Sequence, residues 1–455
     1  MSGASIETTL ELWAASLREV KARIRPLFTQ ERVAASAGLF LDGLLGAERR
    51  KTGWMRAEAA GDPGPWRQQA ILGRGRWEAD ALRDIVQDDV VEHLAAEDAV
   101  LVIDETGFLK QGKASCGVGR QYTGSAGKIT NCQIGVFASY VSRHGHAFID
   151  RALYLPKRWT DDPARMAAAH VPAGTTFATQ PAMALSMIER AIGASVPFGW
   201  VAADSVYGVG DIEMALRRAG KGYVLGVNAT ASFNSWIGKP EVAGTAEDIA
   251  QALDPAAWHR LSAGRGTKGE RLHDWACLEL AHLEADEVRP GAKGLWTRGL
   301  LIRRHIADGE TAYFTTWCPA GTPVETLVAV EGQRWAIEDS FETAKNELGL
   351  THNGRRHCVR PVLARLAPPR VPGDAGFRHD GGDPPSCEPA DTPKNIDGSP
   401  HTPDLVRWSI QEIRRIAVRL AQRRIRPASI MAWSLWRKAH QAAAQQAHIR
   451  QRKQL

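Results

Sequence analysis

A chain of 455 residues, 44% hydrophobic and 24% charged, has room for two or three domains and a large core. No apolar run is long enough to span a membrane and no basic-then-apolar leader opens the chain, so a cytoplasmic protein with no membrane partner is expected. The six cysteines form no CxxC pair, which argues against a zinc site or a disulfide framework. Of the net charge of +6, the stretch from Ile413 to Leu455 contributes eleven Lys/Arg and no acid, leaving −5 for the rest. A basic tail on a slightly acidic body, with Trp433, Trp436 and several Gln interleaved, suggests a polyanion such as nucleic acid.

Residues 5–95 read as helical. Leu10, Trp13, Leu17, Val20 and Ile24 form one amphipathic stripe that Pro26 ends, and a second apolar segment runs from Val33 to Leu45. Two short helices then flank the turn Gly61-Asp-Pro-Gly-Pro65, with Arg49, Arg50, Arg74 and Arg76 at the ends. That pattern fits a helix-turn-helix that binds DNA, and fits an ordinary helical bundle at least as well. From Ala99 the pattern changes to strands. Val100–Ile103 is a short continuous apolar run, as in a strand buried on both faces. Gln133–Val141 and Ala147–Leu155, separated by a Ser-Arg-His-Gly turn, complete an antiparallel meander. Asp161 or Asp162 is placed to cap a helix beginning near Pro163. A helix at 181–192, a strand at 199–203, a helix to Arg218 and a strand at 222–227 form a β-α-β passage. Residues 229–321 read as a β-rich insertion.

After it comes a single predicted helix, Glu331–Leu350. Val330, Ile337, Phe341, Ala344 and Leu348 form its apolar stripe, and at about 100° per residue Arg334, Glu338 and Lys345 fall in a narrow arc beside it. A carboxylate between two cations there would be half desolvated and ionised, as suits a metal or phosphate site. Residues 351–404 are rich in Pro, Gly, Asp and Arg and lack periodicity, which reads as linker or disorder. A basic helical tail follows at 405–455.

Asp104 and Asp204 each stand where a buried strand is expected to end, at the rim of a sheet where ligands bind. Glu338 comes later, on a helix expected to pack on that sheet. Three carboxylates converging from distant parts of the chain would repel one another unless cations lay between them. Two Mg²⁺ or Mn²⁺ ions satisfy this with hard oxygen ligands, and such a pair serves phosphoryl transfer.

Asp104 in LVIDETGFLKQG, Asp204 in AADSVYG, and Arg334-x3-Glu338-x6-Lys345 resemble the DDE transposases of bacterial insertion sequences. Within these the resemblance is to the branch allied to insertion sequence four, particularly its seven-oh-one group. RQYTGSAGKITNCQIGVF, RALYLPKRWTDDPAR and IQEIRRIAVRLAQRRI are similar to the same group, so the likeness covers nearly the whole chain. It implies an α/β fold with an RNase H-like mixed-sheet catalytic domain (96–228 and 322–350), a helical N-terminal domain (1–95), the β-rich insertion (229–321) and the basic helical tail. It implies two-metal cutting and joining of double-stranded DNA, at terminal inverted repeats and at a target, by a homodimer in a bacterial cytoplasm at the nucleoid. Asp104, Asp204 and Glu338 would be the catalytic, metal-binding triad. Arg334, Lys345 and Lys110, with Arg414, Arg415, Arg419, Arg423 and Arg424 of the tail, would contact DNA. The rivals are a nuclease of the same fold that cuts without joining, and a catalytically dead DNA-binding protein.

Two departures stand out. The broader signature has Tyr three residues before the Arg, where this chain has Glu331. The helical segment expected after Leu350 is replaced by the Pro/Gly-rich run. One permissible set of GC-rich codons for Val362–Pro385, read one base later, restores an apolar helical string that resembles the family. A pair of compensating frameshifts bracketing roughly 353–388 accounts for this; a genuine linker is the other reading.

Overall fold

A computed structural model describes residues 6–46, 48, 50–73, 75–236, 239–266, 269–351 and 427–453. The suspected linker or frameshift, and with it Arg414, Arg415, Arg419, Arg423 and Arg424, lies outside the described residues. The chain divides into two compact units: Met1–Ile71 with Val371–Leu455, and Leu72–Arg370.

In the first unit, α1 (Ile6–Ile24) ends one residue before the turn that holds Pro26, and α2 (Glu31–Leu45) follows. Next come α3 (Gly53–Ala60) and α4 (Trp66–Gly73). Thr52 caps α3 by accepting from the Met55 amide, and Gly61 closes it in the left-handed conformation.

The second unit is built on a ten-stranded mixed sheet. Its first helix is α5 (Ala79–Leu94), so the second unit takes in part of the span expected to belong to the N-terminal domain. Then come β1 (Val100–Leu109), β2 (Gly119–Thr123), β3 (Lys128–Ser142) and β4 (Gly145–Tyr154). Helices α6 (Lys157–Thr160), α7 (Pro163–Ala168) and α8 (Gln180–Gly193) lead to β5 (Trp200–Ala203). Asp162, not Asp161, caps α7. α9 (Gly210–Ala219) and β6 (Gly222–Val227) complete the β-α-β passage. β3 runs antiparallel to β1, while β1, β5 and β6 are parallel neighbours.

The insertion holds the small pair β7 (Ser232–Asn234) and β8 (Ala243–Thr245), then α10 (Ala246–Ala252). Its long strands β9 (His259–Gly266), β10 (Gly269–Glu284), β11 (Leu295–Arg304) and β12 (Thr311–Pro319) form no separate sheet. They extend the first one, because β12 pairs antiparallel with β6.

Buried alternation explains the layers. Leu101, Ile103, Val201 and Leu225 join one cluster with Val90 of α5, Met187 and Ile188 of α8, and Leu216 of α9. Val102, Ala202 and Val224 point the other way, into a cluster with Leu327 and Val328 of α11 (Val324–Gly332) and Ile337 and Phe341 of α12 (Trp335–Asn346). The single helix expected over 331–350 is therefore two, with the chain breaking step at Gln333 and Arg334. In the first unit, α13 (Pro427–Lys453) is the last described helix. Among the described residues, no helix is long and apolar enough to cross a membrane.

Candidate active site

Asp104 is the fifth residue of a ten-residue strand, so β1 does not end there as expected. What ends is its pairing with β5. The parallel register runs from Val100↔Trp200 to Ile103↔Ala203, and then the chain after β5 turns away. Asp104 and Asp204 are thus the next residues on two diverging neighbours, at the carboxyl end of parallel strands, where α/β sheets take their ligands. On its other side β1 stays paired with β3 as far as Leu109↔Cys132, which holds Asp104 on a rigid element.

Two glycines let the Asp204 turn sit close against β6. A Cβ on Gly226 would lie 2.7 Å from the Asp204 carbonyl carbon and 2.7 Å from the Ser205 amide nitrogen. A Cβ on Gly208 would lie 2.0 Å from the Gly226 carbonyl oxygen. Within the turn, Asp204 Oδ1 accepts from the Val206 amide at 3.0 Å.

A third carboxylate joins the two aspartates, and it is Glu105. Ligand oxygens of Asp104, Glu105 and Asp204 all lie within 4.8 Å of one another. Strand alternation sends Glu105 to the face opposite Asp104, which is why periodicity gave no reason to single it out. Its position is set by Tyr207, a fully buried residue whose hydroxyl donates to Glu105 Oε2 at 2.5 Å. Burial raises the Glu105 carboxyl; the bond from Tyr207 opposes this, and Asp204 and Glu338 add to the rise. Asp104 is 8% exposed, and burial pushes its carboxyl up to about 8. The Arg334 guanidinium pulls it down, while Asp204, Glu105 and Glu338 push further up. This is the electrostatic state of a negative cluster short of positive charge.

Glu338 lies in the first turn of α12 and is exposed. The half-desolvated carboxylate expected between two cations is therefore not what the structure has. Glu338 acts on the charge of Asp104 and Glu105, yet lies outside the tight set of three. Lys345 is half-buried on the same helix. Its ammonium donates to Thr106 Oγ1 at 2.5 Å and to Ser125 Oγ at 3.0 Å. Burial lowers its pKa, with Glu338 and Asp104 opposing. Arg334 precedes α12, its Nη1 3.8 Å from Glu331 Oε1, and its buried Nε has no hydrogen-bond partner among the described residues. Lys110 follows β1 and is tied to β3 through its backbone: its amide donates to Asn131 O, and Asn131 Nδ2 donates to Lys110 O at 2.7 Å.

The arrangement brings hard oxygen donors to one sheet edge with cations on the covering helix. A family model described as a DDE superfamily endonuclease matches residues 23–275. A probable transposase for insertion sequence element IS701, from Microchaete diplosiphon, is 29% identical over 139 residues. That match covers 30% of this chain and 33% of the relative, so the chain spans about a third of the length of the curated relative it matches. Among solved structures, the NurA nuclease from Sulfolobus solfataricus aligns over 56% of this chain and 81% of its own, at 11% identity and a TM-score of 0.22.

Proposed function

The chain belongs to the DDE superfamily endonucleases, and from that membership we propose that it is a transposase that cuts the ends of an insertion sequence and joins them to target DNA. The observation that carries this reading is the meeting of Asp104, Glu105 and Asp204 at the carboxyl edge of the parallel strands, with Arg334, Glu338 and Lys345 close enough on the overlying chain to act on their charge. The relative from Microchaete diplosiphon, itself a probable transposase, supports the joining step.

The donor set fits divalent metal. All three clustered ligands are hard oxygens, and the Asp104 carboxyl, which burial and its acidic neighbours keep protonated, would give up that proton to cations bound beside it. When bound, two Mg²⁺ or Mn²⁺ ions would activate a water or a 3′-hydroxyl and stabilise the leaving oxygen. Asp104 and Asp204 would hold the metals with Glu105 beside them in the cluster, and Glu338, outside it in this structure, would join the set from α12. Arg334 and Lys345 would bind phosphate oxygens beside the cut. Arg334 carries a buried Nε without a partner among the described residues, on a guanidinium group suited to a phosphate. Thr106 and Ser125 hold the Lys345 ammonium in place for the same task. Lys110 and the arginines at 414, 415, 419, 423 and 424 would add contacts along double-stranded DNA. The working form would be a homodimer on paired ends in the bacterial cytoplasm.

The test uses the full chain, the DNA flanking its own gene as the source of ends, Mg²⁺ and a target plasmid. Joined products in the wild type and none in Asp104→Asn are expected. Cleavage without joining would reduce the protein to a nuclease. DNA binding that survives in EDTA, with no cleavage in Mg²⁺, would mark a catalytically dead binding protein.

A further inference from the structure

Glu331 occupies the position where the broader signature has Tyr, and the transposase reading gave it no task. It ends up 3% exposed, at the end of α11. A buried carboxylate needs partners, since an uncompensated charge in the interior is strongly destabilising. Its partners come from the insertion and from the residue that precedes α12. Arg303 of β11 donates through Nη1 to Glu331 Oε1 at 2.7 Å, and Arg334 Nη1 lies 3.8 Å from the same oxygen.

The last residue of α11 lies against the insertion. A Cβ on Gly332 would sit 2.1 Å from the carbonyl oxygen of Ala263 on β9, so the helix end is pressed directly on the insertion's backbone. Arg271 of β10 then donates to both that oxygen and the Gly332 carbonyl, the latter at 2.8 Å. Three successive strands of the insertion, β9, β10 and β11, thus grip two consecutive residues. Two residues on stands Arg334, which precedes α12, and Glu338 is in that helix's first turn.

We propose that Glu331 is a positioning residue through which the β-rich insertion fixes Arg334 and the first turn of α12, and so Glu338, relative to Asp104. The insertion is then a brace for the active site in addition to any surface it offers to DNA. A neutral phenol at this position could not be shared between two guanidinium groups as the carboxylate is. This rests on the endonuclease reading for its consequence, though not for the brace itself.

Two readouts on the full-length protein separate those parts. By amide hydrogen exchange, Glu331→Gln and Arg303→Gln should each speed exchange across 333–338 by about fivefold or more, with β1 and β5 unchanged. Wild-type exchange at 333–338 in both variants would overturn the proposal. In Mn²⁺-dependent nicking of supercoiled plasmid, Glu331→Gln should lose about tenfold in kcat with little change in KM for DNA. In an Arg334→Gln background the same change should cost less than about twofold, because the two residues act as one unit. Effects that multiply in the double variant would also overturn it. Should Glu331→Gln fail to fold, Arg303→Gln and the milder Glu331→Asp carry both measurements. If the wild type nicks nothing, the endonuclease reading falls, and the exchange result still decides the brace.

Discussion

Asp104 carries the most informative charge in the molecule. Its carboxyl is raised from 3.8 to about 8, chiefly by burial. Between those values the folded protein holds a proton that the unfolded chain has released. The stability this contributes is greatest below the lower value, declines as pH rises, and is gone above about 8. In EDTA, Tm should therefore fall between about pH 4 and pH 8, Asp104→Asn should flatten that slope, and Mg²⁺ should offset it. A slope unchanged by Asp104→Asn, read by scanning calorimetry, would assign the titration elsewhere. Protons and metal compete for the same oxygens, so Mn²⁺ affinity should rise across the same interval. A second expectation concerns function: Asp104→Asn, Asp204→Asn and Glu338→Gln should each abolish Mg²⁺-dependent cleavage and largely spare DNA binding, because carboxylates hold metal whereas Lys and Arg hold phosphate. Near-normal cleavage in any of the three would remove that residue from the set. The two aspartates were legible because an acid directly after a continuous apolar run breaks the pattern. Glu105 was not, since the signal of its neighbour masks it. Its place in the cluster depends on Tyr207, which only the fold brings to it from the turn after β5.

At the scale of elements, periodicity located the strands and helices of the β-α-β passage because their faces are buried on both sides or one. It missed β2, whose sequence Gly-Arg-Gln-Tyr-Thr is polar and half-exposed. It also overran the break between α11 and α12, since the apolar stripe continues through it, and the close approach of Gly332 to the Ala263 carbonyl beside the break is a contact that no local pattern announces. Gly332 gives this a direct test. Adding a methyl 2.1 Å from a backbone oxygen forces the junction to move, so Gly332→Ala should cost about 1–3 kcal/mol, as overpacking does. Cleavage should fall further than that destabilisation explains, because Glu338 follows the junction. Gly226→Ala offers the matching test on the other acid. Its Cβ would meet backbone atoms of Asp204 and Ser205, so Mn²⁺ affinity by calorimetry should drop. Wild-type affinity in Gly226→Ala would mean that the Asp204 turn accommodates the methyl without moving its carboxylate.

For the molecule as a whole, the strong sequence signal is the one-sided basic tail, in which indoles and cations are interleaved. The structure separates the two. Within the first unit, Trp436 on α13 packs at 5.4 Å from Trp54 and 5.9 Å from Trp66, and Trp433 Nε1 donates to the Asp62 carbonyl at 2.8 Å. Arg437 pairs with Glu58 at 3.5 Å. The helix is thus part of the N-terminal unit's packing, a pairing across the length of the chain that no local pattern announces. Deleting the tail would remove cations and uncover indoles together, and could not tell binding from folding. Point changes can. Lys438 and Arg450 are exposed on α13. Replacing both with Gln should leave Tm unchanged and lower the slope of log K against log salt by about 0.9 for each phosphate no longer neutralised. Trp436→Ala should do the reverse: each aromatic pair it breaks is worth about 0.5–1.5 kcal/mol, so melting of this unit should shift down while the charge count stays the same. An unchanged salt slope in the Lys438 and Arg450 double variant would mean that these two side chains do not touch DNA.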